Sequence, residues 1–373
     1  MASAPTGMPQ HISELETPVL LIDLDRMTNN LQRVAEYAAE HKLSLRPHTK
    51  THKNPIIGKM QLDLGAVGLT VAKVGEADVI VTTGTPELLV AYPIIGESKL
   101  KRLMKVARQT RVIVGLDDVA VAQGLSDAAR SAGLEIGVFV EADLGMNRVG
   151  LRPGDDLLDL ARAVLQLPNL RLDGVEFYYG HVNKLLPDWE EKLAGLSAQV
   201  KQIREDFDRA GIELKVISGG STPMLFHSHQ IEGMTEMRPG TYVFNDVMQV
   251  GMGSAAWDNC AVTIMTTVVS TARPGFAVID GGSKTFTSDG ARAGGEPSFG
   301  RVTEAPESRF YKMNEEHGYL EIRGAPSPIR IGDRLRIIPN HVCVAVNMHE
   351  YVYGVRGETV EQIWKVEARG KLQ

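Results

Sequence analysis

Arg46-Pro47-His48-Thr49-Lys50-Thr51-His52-Lys53 follows the apolar run Leu43 to Leu45 and precedes Asn54 to Leu64, which reads as a helix. Three cations, Arg46, Lys50 and Lys53, and two imidazoles therefore stand where a strand hands over to a helix. Pro47 has its φ fixed by its ring and disfavours helix in the residue before it, which keeps Arg46 extended. In an α/β fold, a lysine at the C-terminal end of a strand points into the usual active-site mouth. The neighbouring cations are expected to make the Lys50 amine lose its proton more readily. A neutral amine is the form that attacks a carbonyl to make a Schiff base. The plain alternative is a solvated basic loop with no ligand.

The same alternation continues on both sides of this stretch. Pro18 to Asp23 reads as a buried strand, and Asp25 as the N-cap of a helix from Met27 to His41. Eight strand-like runs follow: 44–45, 68–71, 79–81, 88–90, 111–114, 136–140, 172–177 and 215–218. Helical stretches lie between them at 54–64, 74–78, 99–107, 119–132, 155–166 and 189–210. Short apolar strands alternating with amphipathic helices mean parallel βαβ units, and this number of units predicts a (β/α)8 TIM-like barrel. After Pro239 the texture changes. Short strands are expected at 262–271, 277–280, 309–312, 319–323, 334–338, 342–346, 351–354 and 362–366, punctuated by turns such as Pro274-Gly275, Gly294-Gly295 and Gly332-Asp333. That pattern predicts an antiparallel β domain. The expected division is a barrel over 17–245 and a β domain over 246–373. Residues 1–16 read as loose chain or a lone strand that could pack on the β domain.

With 373 residues, 43% of them apolar and 23% charged, the chain has ample core for more than one domain. A net charge of −6 and a pI near 6.0 argue against a nucleic-acid binder. No apolar run approaches the ~18–20 residues needed to span a bilayer. Met1 to Ser13 shows no basic start followed by an apolar stretch, so no signal peptide is visible. Two cysteines point to a reducing compartment, with the cytoplasm as the default.

Four further constellations stand at strand ends. Ser218-Gly219-Gly220-Ser221-Thr222-Pro223 offers small residues and hydroxyls that let backbone N–H groups approach an anion, with Gly240-Thr241-Tyr242 able to close the same pocket. Read blandly, it is a tight turn. Glu141 to Gly150 carries Arg148, a fixed cation that could face a ring, or simply an ion pair with Glu141 or Asp143. Tyr178, in Tyr178-Tyr179-Gly180-His181, could contact a cofactor ring or fill the barrel rim. Pro339-Asn340-His341-Val342-Cys343 is expected to open a strand. Residues i and i+2 would then share a face and offer an imidazole and a thiolate to one cation, Zn²⁺ on softness, or Mn²⁺ or Mg²⁺ with oxygen ligands added. The alternative is a buried cysteine beside a satisfied histidine.

Taken together, these blocks and the terminal Ala368-Arg369-Gly370-Lys371 resemble the D-threonine aldolase / D-serine dehydratase group of alanine-racemase-fold pyridoxal-phosphate enzymes, over about Thr17 to Lys371. The resemblance implies that Lys50 holds pyridoxal 5'-phosphate covalently. It implies that Ser218, Gly219, Gly220, Ser221 and Tyr242 hold the phosphate, with Arg148 and Tyr178 near the ring. It also implies a divalent metal on His341 and Cys343, and a homodimer. His52 is a candidate catalytic base or water-positioner, with a structural hydrogen bond in its loop as the alternative. The expected activity is metal-dependent D-threonine aldolase, cleaving D-3-hydroxy-amino acids to glycine and an aldehyde. The alternatives are a D-serine or 3-hydroxyaspartate dehydratase on the same scaffold, and a non-catalytic pyridoxal-phosphate carrier. The β domain and the His341/Cys343 pair speak against the carrier.

Overall fold

The computed structural model describes residues 9–293 and 296–373. The chain forms two compact units. One comprises Arg33–Lys50, Asn54–Gly240 and Lys371–Gln373; the other runs up to Gln32 and includes Thr51–Lys53 and Thr241–Gly370.

In the first unit, eight parallel strands lie side by side in the order Ser44–Leu45, Glu236–Met237, Val216–Gly219, Leu170–Phe177, Ile136–Ala142, Arg111–Leu116, Glu87–Val90 and Leu69–Val71. The two end strands meet. Val67 N–H donates to Leu45 O, Thr70 N–H to Pro47 O and Thr49 N–H to Thr70 O, and His48 bridges Thr70 in parallel. The ring is therefore closed, as the repeated strand–helix alternation predicts. Helices Val119–Ala132 and Asp155–Gln166 have the expected bounds. Asn54 caps Pro55–Asp63 by accepting from Ile56 N–H, with proline at the first helical position.

Two sequence expectations for this part of the chain fail for stated reasons. Val79-Ile80-Val81 is not a strand. It ends the helix Val74–Ile80, whose Val74, Ala77 and Ile80 are buried at helical spacing, and Gly84 in the left-handed conformation closes the 3-10 turn after it. The eighth strand is instead Glu236–Met237, too short and too polar to register as an apolar run. The helix expected at 27–41 is Leu24–Glu40, and its cap is Asp23, which accepts from Arg26 N–H, rather than Asp25.

The barrel interior is only partly apolar. Leu89, Ile113 and Phe139 form one buried cluster. Beside them a chain of charges runs from the buried Arg46 out to the half-exposed Arg111 and Arg171. Arg46, 2% exposed, donates from Nε to Glu236 at 2.9 Å and from Nη2 to Glu87 at 2.8 Å. Glu87 also pairs with Arg111, Arg111 with Asp173 at 3.0 Å, and Asp173 with Arg171 at 2.7 Å. Glycines in or beside the strands make room for long polar side chains. A Cβ on Gly115 would lie 1.6 Å from Glu176 Oε1, one on Gly137 2.0 Å from Asp173 Oδ2, and one on Gly68 2.4 Å from Arg46 Nη1.

In the second unit, Val262–Ser270 pairs antiparallel with Val19–Asp23, Phe276–Ile279 and Arg334–Pro339, and Tyr351–Arg356 pairs antiparallel with Thr359–Lys365. One pair is parallel: Val19–Asp23 against Tyr351–Arg356. The strand expected to begin the barrel thus belongs to the β unit, so residues 17–32 depart from the expected span 17–245. Ile12 N–H donates to Glu358 O and Val360 N–H to Gln10 O, joining residues 10–12 to the Thr359 strand. Of the remaining expectations, residues 1–8 and the Gly294-Gly295 turn lie outside the described residues.

The expected strand 342–346 is a helix, Val342–Met348. Its β-branched alternation is overruled by capping: the Asp246 carboxylate accepts from Val342 N–H at 3.0 Å, and His341 stays extended as the N-cap. Val342, Ala345 and Val346 are buried while Val344 is exposed, which is helical rather than strand spacing.

The Arg46 ion pairs predict a large single-site effect. Arg46→Ala leaves two carboxylates without their buried partner and is expected to destabilise folding by about 3–5 kcal/mol. Lys59→Ala, which removes an exposed i,i+4 pair with Asp63, is expected to change stability by less than about 1 kcal/mol. Urea denaturation of both variants is the measurement; equal midpoints would show that the interior network carries no stability.

Candidate active site

The structure divides the expected site residues between the units. Lys50, Arg148, Tyr178, Ser218, Gly219, Gly220 and Ser221 fall in the barrel unit, and His52, Tyr242, His341 and Cys343 in the β unit.

Within the barrel, every one of them stands at or just after the C-terminal end of a strand. Lys50 follows the Ser44–Leu45 strand and its His48 bridge, and it is exposed. Arg148 follows Ile136–Ala142, Tyr178 follows Leu170–Phe177, and Gly219 to Ser221 end Val216–Gly219. In a parallel barrel these ends form one face. Arg148 and Tyr178 are in contact, the guanidinium lying 4.8 Å from the ring centroid. Asp143 shapes the loop that carries Arg148, accepting from Gly145 and Asn147 N–H at 3.0 Å each.

The Gly219-Gly220-Ser221 turn fits a phosphate cradle. Gly220 has φ +123°, and a Cβ there would sit 2.8 Å from Arg238 N. A Cβ on Gly219 would sit 2.4 Å from the Phe177 ring. The Ser221 Oγ is buried and has no hydrogen-bond partner among the described residues, so it can donate to an anion. The Ser218 hydroxyl cannot: it donates to Glu236 at 2.6 Å and accepts from Arg238 at 2.6 Å.

Below this face lies a feature the sequence reading missed. Glu141, Glu176, Ser218 and Glu236 are cross-strand neighbours in register. Glu176 is 1% exposed, 3.2 Å from Arg238, with no hydrogen bond on either oxygen. Burial pushes its carboxyl up, against the pull of Arg238. Burial, and then Glu176, push Glu141 up to about 8; Arg148, 3.9 Å away, offsets part of this. Arg46, expected to crowd Lys50 with charge, is instead neutralised by Glu236 and Glu87.

In the β unit, His52 is 1% exposed and Tyr242 2%. His341 and Cys343 do converge, though on a helix start rather than a strand face: their side chains are hydrogen-bonded, and that bond with the charge on the Cys343 sulfur pushes the His341 imidazolium up to about 9. Thr51 Oγ1 lies 3.2 Å from Cys343 Sγ, and Asp289 Oδ2 lies 2.7 Å from His341 Nδ1. Asp246, buried and pushed up to about 6 by that burial, caps both Val247–Gly251 and Val342–Met348. An imidazole and a thiol brought together suit a divalent cation such as Zn²⁺. Among the described residues, no three His, Cys, Asp or Glu side chains form such a group. Asp246 and Asp289 are remote in sequence from His341, and no local spacing could have linked them to it.

Residues 22–247 match the family model described as alanine racemase, N-terminal domain, and residues 261–355 that of a serine dehydratase domain. A 3-hydroxy-D-aspartate aldolase of Paracoccus denitrificans is 32% identical over 96% of this chain and 93% of its own length. The crystal structure of a D-threonine aldolase from Filomicrobium marinum superposes with a TM-score of 0.92 at 31% identity, over 99% of this chain and all of that one. A cysteine-to-alanine mutant of D-threo-3-hydroxyaspartate dehydratase, solved in the metal-free form, gives 0.84 at 29% identity over 96% and 99%. No helix among the described residues is long and apolar enough to cross a membrane.

The Glu141 carboxyl yields a pH prediction. Its folded pKa lies above the unfolded value, so the folded state binds more protons between about pH 4.5 and 8, and stability falls as pH rises through that window. Glu141→Gln keeps the neutral form at every pH. Relative to the parent it is expected to gain roughly 1–3 kcal/mol between pH 5 and pH 9. Parallel stability curves for the two proteins would refute the shift.

Proposed function

Because the chain belongs to the D-threonine aldolase / D-serine dehydratase family of alanine-racemase-fold, pyridoxal-phosphate-dependent enzymes, we propose that it is a lyase of the D-threonine aldolase type. The observation that carries this reading is the full-length correspondence to a D-threonine aldolase.

Lys50 is the amine that would hold the cofactor through its aldehyde, at the exposed end of its strand. Gly219, Gly220 and Ser221 offer backbone and hydroxyl donors to the phosphate, with Tyr242 assigned the same group by family resemblance. Arg148 and Tyr178, a packed pair, would face the cofactor ring. When bound, the cofactor supplies an electron sink for the pair left at Cα. A divalent cation on His341 and Cys343 supplies Lewis acidity toward the substrate's β-hydroxyl. His52 takes the β-hydroxyl proton, the Cα–Cβ bond breaks, an aldehyde leaves, and a proton returned to Cα gives glycine. The working unit is proposed as a homodimer.

One observation favours the dehydratase alternative: a D-threo-3-hydroxyaspartate dehydratase superposes with a TM-score of 0.85 at 28% identity over 96% of this chain. There the β-hydroxyl leaves instead, and Lys50 removes the Cα proton. Incubation with D-threonine and with D-serine distinguishes the two. Glycine plus acetaldehyde, abolished by a chelator, is the expected result; keto acid plus ammonia from D-serine alone would overturn it. Lys50→Ala is expected to lose activity by roughly three orders of magnitude or more. Reduction with borohydride should label the parent protein covalently but not this variant, and equal labelling would move the attachment point elsewhere.

A further inference from the structure

His341 is held from a direction that its proposed role as a ligand does not explain. It is the extended N-cap of Val342–Met348, with φ −134° and ψ 104°. Its Nδ1 lies 2.7 Å from Asp289 Oδ2, 52 residues away in sequence. The Asp289 main chain is itself fixed, while its carboxylate is part-exposed. Asn340, fully buried and immediately before His341, donates from Nδ2 to Asp289 O at 2.8 Å and to Ser298 O at 2.6 Å. Asp289 N–H donates to Thr287 Oγ1 at 3.0 Å. The loop around 289 and the helix start at 341 are therefore tied twice, once through main chain and once through the imidazole.

A carboxylate can only accept, so Nδ1 carries the proton in this pair. When the ring gives up its other proton to bind a cation, the lone pair lies on Nε2, the nitrogen left for that cation. We propose that Asp289 is a positioning residue for His341: it fixes the tautomer and ring orientation so that Nε2 is presented to a zinc-class divalent cation. Outer carboxylates of this kind raise the basicity of a ligating histidine, and their loss typically weakens metal affinity by about 10–100-fold. The inference rests on the proposal that His341 is a metal ligand.

The test measures Zn²⁺ affinity of the full-length protein, stripped with a chelator and titrated in competition with a chromophoric chelator. Asp289→Ala is expected to bind Zn²⁺ about 10–100-fold more weakly than the parent. Asp289→Asn keeps a carbonyl oxygen for Nδ1–H and should recover most of the loss; a role in folding alone would instead lower the melting temperature of the metal-free protein without moving affinity. His341→Ala sets the scale for loss of a ligand. Asp289→Ala within twofold of the parent, with His341→Ala much weaker, overturns the positioning role and leaves the metal reading intact. Equal binding by His341→Ala and the parent overturns both. If Asp289→Ala matches His341→Ala and Co²⁺-loaded protein shows a changed coordination spectrum, Asp289 is a ligand, which also overturns positioning.

Discussion

The ion pair between Arg46 and Glu236 links the two strands at which the barrel begins and ends. Arg46 follows the first strand and Glu236 opens the eighth, and both side chains are almost wholly buried. Charges in such a place are tolerated only when paired, because an isolated buried ion carries a large desolvation cost. The pairing therefore fixes which strands are neighbours and in what register. Two-residue segments offer few backbone hydrogen bonds for that task. The extension of the first strand, running on through His48 to Lys50, leaves the barrel at its C-terminal face because Arg46 is anchored inside.

The same polar interior reaches upward toward that face. Glu141, Glu176, Ser218 and Glu236 form one register row, answered by Arg238, Arg46 and Arg148. Glycines at 115 and 137 replace side chains that would otherwise fill a barrel core. An interior built this way is costly to assemble, and burial favours the neutral forms of Glu141 and Glu176. It also means that the hydroxyl of Ser218, which looks available in sequence, is already committed, whereas that of Ser221 is not. The distinction between the two serines is one of neighbours, not of residue type.

The β unit uses capping rather than pairing to place its reactive groups. Asp246 accepts from the first turns of two short helices, Val247–Gly251 and Val342–Met348, so one buried carboxylate sets both starts. His341 and Cys343 sit on the second of these. Two residues apart on a strand or around a helix N-cap, an imidazole and a thiol can approach each other either way. The two side chains meet, though at a helix start and not on the strand face expected to bring them together.

Periodicity in the sequence was enough to specify a strand–helix alternation closing as a barrel, followed by a β-rich region, because apolar spacing reports burial directly. The motif residues at 46–53, 148, 178 and 218–221 were legible for the same reason: each follows a strand, and parallel strands present their C-terminal ends together. Tertiary structure alone decided the rest. Val79 to Val81 and Val342 to Val346 carry β-branched residues, yet burial at helical spacing and a remote carboxylate cap make both helical. The strand Val19–Asp23 joined the β unit because its partners, Val262–Ser270 and Tyr351–Arg356, lie more than two hundred residues later in the chain. Asp289 beside His341, and Glu176 beneath Arg238, are partnerships made by folding, and local spacing holds no record of them.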